Sequence, residues 1–258
     1  MRILVVGDAV GRTGRQTLGR LLPGLRRELH LDLVIANGEN AAAGRGITPS
    51  VAEEMLRAGV DVITTGNHIW DQKEIIPYLD SQAPILRPLN FPPGIPGRGI
   101  IQEGAVTVIN LQGRVFMANI DCPFRAADRA LADSPPNSIV VVDMHAEATS
   151  EKLAMGWYLD GRVTAVVGTH THVATADAHI LPRGTAFVCD VGMTAARDSI
   201  IGDAVDHVLQ RFLTAMPVRL QPAHGPAILN SVLIDVDDET GRARHIERVD
   251  REINDQQG

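Results

Sequence analysis

Two histidines separated by a single residue stand in the run Gly168-Thr169-His170-Thr171-His172-Val173. The run follows an apolar, strand-like stretch at residues 163–167. A chain that leaves a strand at this point can aim both imidazoles into one pocket, and neutral imidazole is a common ligand for divalent transition metals. An H-x-H pair by itself is more often an ordinary surface or loop pair, so a metal site needs support from other residues.

Carboxylate, amide and imidazole side chains, which can also bind metals, follow four other apolar segments. They are Asp8 after residues 3–6, Glu39 and Asn40 after residues 33–36, Asn67 and His68 after residues 60–65, and His145 after residues 139–142. In open α/β sheets, pockets lie outside the carboxyl ends of the strands. We therefore expect these side chains to meet the histidine pair at one edge of a sheet, although they are far apart in sequence.

Together these side chains form a coherent ligand set. Carboxylates, amide oxygens and imidazoles without a thiolate suit iron, manganese or zinc better than calcium or a soft copper site. The set is larger than one ion needs, and paired ions roughly 3.5–4 Å apart can hold a hydroxide and clamp a phosphoryl group. Taken singly, Asp8 could cap a helix, Asn40 or Asn67 could be turn residues, and His145 could be a hydrogen-bonded strand-end histidine.

The order of the motifs, G-D, G-E-N, G-N-H, a lone His and G-x-H-x-H, resembles that of the calcineurin-like metallophosphoesterases. The usual first motif of that superfamily is D-x-H, whereas this chain has Asp8-Ala9-Val10. Its second motif has Glu39 where aspartate is usual, followed by Asn40. Both departures are similar to the bacterial YmdB-like branch, in which the asparagine takes the missing ligand position.

The resemblance to this branch extends over nearly the whole chain. It is carried by residues 7–12, 36–41, 65–71, 168–173, 181–185 and 190–194. One difference is Ala195-Ala196, where a Gly-Pro pair is expected. This difference leaves the ligand set untouched and concerns the shape of a loop.

The resemblance implies a fold, cofactors and an activity. The implied fold is a four-layer α/β/β/α sandwich of two mixed β-sheets flanked by helices. The implied cofactors are two transition-metal ions. Iron and manganese are the preferred metals, and zinc is the alternative. One ion is held by Asp8, Glu39, Asn40 and His172, and the other by Glu39, Asn67, His145 and His170. The implied reaction is hydrolysis of 2',3'-cyclic nucleotides at the 2' bond to 3'-nucleotides, by a metal-held hydroxide.

His68 is the expected catalytic residue, because it follows the ligand Asn67 and its ring should lie beside the cluster. Imidazole can protonate a departing ribose oxygen or hydrogen-bond the transferring phosphoryl group. The alternative is that His68 only packs or binds a metal. Asp71 is a candidate for orienting a neighbouring ring. Further candidates for holding an anionic substrate are Arg12, Arg15 and Arg45.

Rival functions stay open from the sequence. A broader cyclic-nucleotide phosphodiesterase acting on 3',5'-cyclic AMP, or a general phosphoesterase, would use the same ligands. A nucleotide-sensing regulatory or scaffold protein would bind its ligand without turnover. A Rossmann-like reductase is disfavoured, because Gly7, Gly11 and Gly14 do not follow the G-x-G-x-x-G spacing.

Alternating strand-like and helix-like segments predict the α/β framework that must position these residues. Further predicted strands are residues 106–111, 115–120, 138–143, 186–188 and 232–236, and the predicted helices are residues 15–29, 49–58, 72–79 and 149–158. The segments 106–111 and 115–120 are predicted to pair as a hairpin. Residues 83–99 are predicted to be an irregular loop, residues 254–258 a frayed end, and the whole of 1–258 a single domain.

Composition limits the partners. The 258 residues carry a formal net charge of −7, which disfavours strong binding to duplex nucleic acid. Only 3% of them are aromatic, which disfavours the stacking surfaces that bind single-stranded nucleic acid. A small nucleotide stays compatible, since bound cations can invert the local field. No apolar run approaches the ~18 residues of a membrane span. We read Cys122 and Cys189 as small buried apolar residues in a reducing compartment, with a lone disulfide between them as the alternative. We expect a cytoplasmic protein without a membrane partner and leave a homo-oligomer open.

Overall fold

The structure is a computed structural model that describes residues 1–253, so the predicted frayed end lies outside the described residues. The described strands are β1 (Arg2–Val6), β2 (Asp8–Ala9), β3 (Leu33–Asn37), β4 (Val62–Thr64), β5 (Ile100–Glu103), β6 (Val106–Gln112), β7 (Ile139–His145), β8 (Ala165–Thr169), β9 (His179–Ile180), β10 (Ala186–Val188), β11 (Met193–Ala196), β12 (Ala227–Leu229), β13 (Ser231–Val236), β14 (Ala243–Arg248) and β15 (Arg251–Ile253). The described helices are α1 (Gly11–Leu29), α2 (Pro49–Arg57), α3 (Ile75–Tyr78), α4 (Pro123–Leu131), α5 (Thr149–Leu159) and α6 (Val205–Thr214). This is the mixed α/β organisation that the alternating pattern predicts.

The described strands form two large mixed sheets and a smaller one. The first sheet has the order β14-β13-β1-β3-β4, in which β1, β3 and β4 are parallel. The second has the order β5-β6-β7-β8-β10-β9, in which β6, β7, β8 and β10 are parallel between antiparallel edge strands. The third sheet has the order β15-β12-β11-β2, and its strand β2 follows directly after β1 in the chain. Parallel strands end at a common edge, so each large sheet delivers several strand ends to one place.

Three clusters of buried apolar side chains hold these elements together. One joins α1 and α2 to a face of the first sheet and contains Leu22 and Val34. A second contains side chains from both large sheets, such as Ile35 and Val141. A third joins the second sheet to α4 and α5 and contains Val142. Neighbouring strand residues point to opposite faces of a sheet. The central strands are apolar at successive positions, so they bury apolar side chains on both faces.

The predicted hairpin is wrong. Residues 115–120 are not a strand, and within them Phe116 has a φ of 62° and is 90% exposed. β6 pairs with β5 on one side and with β7 on the other, so neither edge of β6 can accept this segment. The antiparallel partner of β6 is therefore β5, which lies at the end of the proline-rich loop.

Several other boundaries differ from the sequence-based expectation. The helix predicted at residues 72–79 is only the four-residue α3, which contains Pro77. Helices α4 and α6 were missed, although Pro123 in the first turn of α4 is a known start signal. The remaining predicted strands and helices are confirmed to within four residues at each end.

Two expectations about the chemical environment can be compared with the described residues. Within residues 1–253, no helix combines the length and the apolar character that crossing a membrane requires. Cys122 and Cys189 are both free thiols. Cys189 is buried as predicted, whereas Cys122 is only half-buried because it precedes α4 at the surface.

Candidate metal centre

The ends of five strands bring all the predicted ligand residues to one place. The strand ends of the first sheet carry Glu39, Asn40 and Asn67, and β2 of the third sheet carries Asp8. The second sheet supplies the imidazoles, which are His145, the last residue of β7, and His170 and His172, which follow β8. The candidate centre therefore lies where the carboxyl ends of the two sheets meet.

One group of these residues surrounds His145 Nε2. This nitrogen lies 3.1 Å from Glu39 Oε1, 3.1 Å from Asn67 Oδ1 and 3.0 Å from His170 Nδ1. Glu39, His145 and His170 each offer a ligand atom within 4.8 Å of the others. The four residues are the set that the family resemblance assigns to one ion.

A second group surrounds His172 Nε2. This nitrogen lies 3.1 Å from Asn40 Nδ2 and 3.5 Å from Asp8 Oδ1. Asn40 Nδ2 also lies 3.4 Å from Glu39 Oε1, so Glu39 touches both groups. A half-turn of the Asn40 amide presents its oxygen at the same position. Asp8, Glu39, Asn40 and His172 can thus direct lone pairs at one point.

The orientation of the His145 ring is fixed by a chain of buried hydrogen bonds. The Thr169 hydroxyl donates to Asp143 Oδ1 at 2.7 Å, and its oxygen lies 2.9 Å from His145 Nδ1. Burial raises the pKa of Asp143 to about 6. Since the Thr169 proton is directed at Asp143, the His145 proton belongs on Nδ1, and Nε2 keeps its lone pair for a ligand role.

The other two ligand histidines are held in the same manner. His170 Nε2 lies 3.1 Å from Glu147 Oε2, and His172 Nδ1 lies 2.7 Å from the carbonyl oxygen of Ile201. Both partners are acceptors, so each ring carries its proton on the nitrogen that faces away from the cluster. Sequence reasoning missed Glu147 and Ile201. Glu147 has a local signal, because it stands two residues after His145.

The buried carboxylates and imidazoles strongly perturb one another. Burial opposes ionisation of Asp8 and Glu39, but His172 and His145 outweigh it and hold the pKa of both carboxyls below their usual values. Burial likewise opposes protonation of His172, yet Asp8 raises its pKa to about 9. Burial and the charge of His145 lower the pKa of His170 to about 4. The pocket therefore keeps two ionised carboxylates that are compensated by positive charge on neighbouring imidazoles, and a bound cation would supply the same compensation.

Two further observations fit resident cations. Asp8 Oδ1 is buried without a hydrogen-bond partner among the described residues, which is costly for a carboxylate oxygen. A β-carbon at Gly66 would lie 2.0 Å from the His145 ring and 2.5 Å from Glu39 Oε2. Only glycine lets the end of β4 approach the ligands this closely. The oxygen and nitrogen donors present here thus fit transition-metal ions.

His68 lies beside the cluster. Its backbone N–H donates to Glu39 Oε2 at 3.1 Å, and its ring Nδ1 lies 2.8 Å from Asp71 Oδ2. Arg45 Nε lies 2.7 Å from the same Asp71 oxygen and 3.1 Å from Nδ1. Nδ1 cannot both donate to Asp71 and accept from Arg45, and the two shorter contacts favour donation by both groups to Asp71. Nε2 is then the ring nitrogen that neither Asp71 nor Arg45 engages.

The remaining candidate arginines differ from Arg45. Arg15 donates to Glu54 Oε2 at 2.7 Å and to the Ala41 carbonyl oxygen at 2.6 Å, so it supports the chain after Asn40. Arg12 is exposed on the first turn of α1. Of the three, Arg45 is the one in contact with His68 and Asp71.

Comparison with known proteins assigns the chain to a family. The family model described as YmdB-like protein matches residues 4–249. The chain belongs to the YmdB-like family. The match includes every predicted ligand residue and His68.

Relatives of this YmdB-like protein cover almost its full length. A 2',3'-cyclic-nucleotide 2'-phosphodiesterase from Bacillus subtilis (strain 168) is 48% identical over 254 residues, which cover 96% of each chain. The crystal structure of a hypothetical protein from Thermus thermophilus has a TM-score of 0.92 at 45% identity and covers 98% of this chain and 99% of that one. The crystal structure of a novel phosphatase from Mycoplasma pneumoniae has a TM-score of 0.92 at 30% identity, with coverages of 99% and 95%.

The sequence difference at Ala195-Ala196 lies in a strand of this YmdB-like protein. Both alanines belong to β11, are 1% exposed and pair with β12. The same strand pairs with β2 and places Met193 opposite Asp8. The segment read as a loop from the sequence is therefore a strand, because the ladder with β12 keeps it extended.

Proposed function

We propose that this chain hydrolyses 2',3'-cyclic nucleotides at the 2' bond and releases 3'-nucleotides, with two transition-metal ions as cofactors. The main support is the position of Glu39 Oε1, which lies 3.1 Å from His145 Nε2 and 3.4 Å from Asn40 Nδ2 and so joins the two ligand groups. The substrate class follows the Bacillus subtilis relative, which is named for this activity and is 48% identical.

The contacts suggest how the residues divide between the ions. Asp8, Asn40 and His172 would hold one ion and Asn67, His145 and His170 the other, with Glu39 shared between the two groups. The donors suit iron or manganese, and zinc is also acceptable to them. This ligand set supports placing the chain in the calcineurin-like metallophosphoesterase superfamily.

The residues around the ions have separate tasks. When bound, the pair of ions supplies Lewis acidity at the phosphoryl oxygens and neutralises their developing charge. Asp71 accepts the Nδ1 proton of His68, so a protonated His68 carries its transferable proton on Nε2. Water supplies the oxygen that bonds to phosphorus and releases a proton to the solvent. The His68 proton moves to the departing 2' oxygen as the phosphorus–O2' bond breaks, while the 3' oxygen keeps its phosphorus. Arg45, whose side chain is 70% exposed, offers a positive charge beside His68.

Product analysis tests the proposal. Purified protein loaded with Mn²⁺ is given 2',3'-cyclic AMP, 3',5'-cyclic AMP and an aryl phosphodiester in parallel. We expect 2',3'-cyclic AMP to be the preferred substrate and 3'-AMP the product, with loss of turnover on chelation and recovery with Mn²⁺. Equal turnover of all three would favour a general phosphodiesterase, and binding without turnover would favour a regulatory protein. Full turnover by the metal-free protein would overturn the mechanism.

We also propose that residues 1–258 form one domain with four α/β/β/α layers. The pairing of β1 with β13, which joins Arg2 to Asp235, supports one domain. The three apolar clusters support the four layers, since each cluster lies between two successive layers. The free thiols Cys122 and Cys189 support a reducing compartment such as the cytoplasm.

A further inference from the structure

We infer that a buried ion pair, Lys152 with Asp190, holds the histidine turn (His170, Thr171 and His172) in the shape that binds metal. Both residues act as positioning residues, and the inference rests on the proposed function. Lys152 Nζ lies 2.7 Å from Asp190 Oδ2, and both side chains are 1% exposed. Removing such a pair from water is costly, so its presence beside the turn calls for a specific role.

Lys152 occupies a position in α5 where a lysine is unfavourable. It stands in the first turn of α5, where the positive end of the helix dipole disfavours a cation. Met155 and Leu159, on the same face, pack in the apolar core. Lys152 is therefore placed against both local preferences, and its contact with Asp190 is what compensates.

Asp190 joins two segments that supply ligands. Its Oδ2 accepts from the Thr171 backbone N–H at 3.1 Å and from the Thr171 hydroxyl at 2.6 Å, and its Oδ1 accepts from the Gly192 N–H at 2.8 Å. The carbonyl oxygen of Gly192 in turn accepts from the Asp8 N–H at 3.0 Å. One carboxylate thus connects the histidine turn to the strand that carries Asp8.

The histidine turn needs such support because its backbone is strained. His170 has a φ of 97° and His172 a φ of 63°. A positive φ raises the conformational free energy of a residue other than glycine. The conformation persists only where the surrounding structure imposes it. Thr171, between them, is anchored at both its N–H and its hydroxyl. Without the anchor the turn relaxes and the two imidazoles no longer converge with Glu39 and Asp8.

Metal titration of variants tests the inference. The variants are Lys152→Met, Thr171→Val and the conservative Thr171→Ser, which keeps the hydroxyl. Asp160→Asn is the matched control: Asp160 is also a buried carboxylate, and it accepts from the Arg183 N–H at 3.0 Å on the far end of α5. Mn²⁺ affinity is measured by calorimetry on metal-free protein, alongside its thermal unfolding.

We expect Lys152→Met and Thr171→Val to weaken Mn²⁺ binding about 10- to 100-fold, the usual cost of losing a group that orients metal ligands. Thr171→Ser should bind like the unaltered protein, and Asp160→Asn should lose thermal stability without losing affinity. If Lys152→Met does not fold, the Thr171 pair gives the answer. Unchanged affinity in Thr171→Val, or an equal loss in Asp160→Asn, would overturn the inference. Because the readout is affinity, absence of cyclic-nucleotide turnover would overturn only the proposed function.

Discussion

Each candidate ligand histidine presents one ring nitrogen to the cluster because its other nitrogen is engaged. The partner is a hydroxyl for His145, a carboxylate for His170 and a backbone carbonyl for His172. In the last two cases the partner can only accept, and in the first the hydroxyl donates elsewhere. The second nitrogen of each ring therefore faces the cluster, where it would bind a cation on losing its proton. His68 differs, since its Nδ1 contact with Asp71 leaves Nε2 for the proposed proton transfer.

Replacing His68 by alanine should lower kcat without removing the metal. We expect a loss of about 100- to 10,000-fold, the usual contribution of general acid–base catalysis. Mn²⁺ titration should match the unaltered protein, because the backbone N–H of residue 68 still donates to Glu39. His245→Ala is the control, since that side chain is 58% exposed and lies outside the cluster. Loss of metal from His68→Ala would instead make His68 a ligand.

Glu39 and Asn67 should differ in how many ions they affect. Glu39→Gln removes a charge shared by both ligand groups, so we expect both ions to bind more weakly. Asn67→Ala removes an oxygen from the His145 group alone, so one ion should remain. Elemental analysis after dialysis measures the metal content per chain. Retention of both ions by Glu39→Gln would contradict the bridging position.

At the scale of elements, the site is built from strand ends that approach one another closely. β4 ends at Thr64, and the chain then passes through Gly66 under the His145 ring. β2 is held by β11, whose partner β12 is part of the same small sheet. The ligand geometry thus depends on backbone packing between strands as much as on the ligands themselves.

Gly66→Ala should damage the centre without touching a ligand. Its β-carbon would overlap the His145 ring at 2.0 Å, so the ring or the strand end must move. We expect Mn²⁺ affinity and turnover both to fall, with a stability loss of about 1–3 kcal/mol for overpacking. Gly19→Ala is the control, because it has open space around it in α1 and should gain about 0.5–1 kcal/mol in unfolding free energy. Unchanged metal binding in Gly66→Ala would show that this approach is not needed.

At the scale of the whole molecule, the candidate centre connects the two large sheets. The first sheet positions Glu39, Asn40 and Asn67, β2 of the small sheet carries Asp8, and the second sheet positions the imidazoles. Ions bound between them would link the sheets beyond the apolar contacts of their shared cluster.

Chelation should therefore lower the unfolding temperature. A ligand that binds only the folded state stabilises it by about 2.7 kcal/mol when its free concentration is 100 times its Kd. Calorimetric melting with EDTA and with excess Mn²⁺ measures the difference, and Asp8→Asn should reduce it. Equal melting temperatures under both conditions would argue against ions between the sheets.

The strand ends and ligand types could be read from the sequence alone. Apolar runs followed by a polar residue are local patterns. Asp8, Glu39 and Asn67 follow such a run with an intervening glycine, and His145 follows one without a glycine. The family could be recognised for the same reason, since its motifs are short and contiguous. Their roles as metal ligands remain predictions.

Only the tertiary structure revealed what holds those residues in place. Lys152 meets Asp190 across 38 positions, and β6 pairs with β5 rather than with the strand-like residues 115–120. Such contacts have no period in the sequence, because they depend on which edges and cavities remain free once the sheets have packed. The chemical types of the candidate site residues can therefore be predicted from short sequence motifs. Their geometry follows from long-range packing.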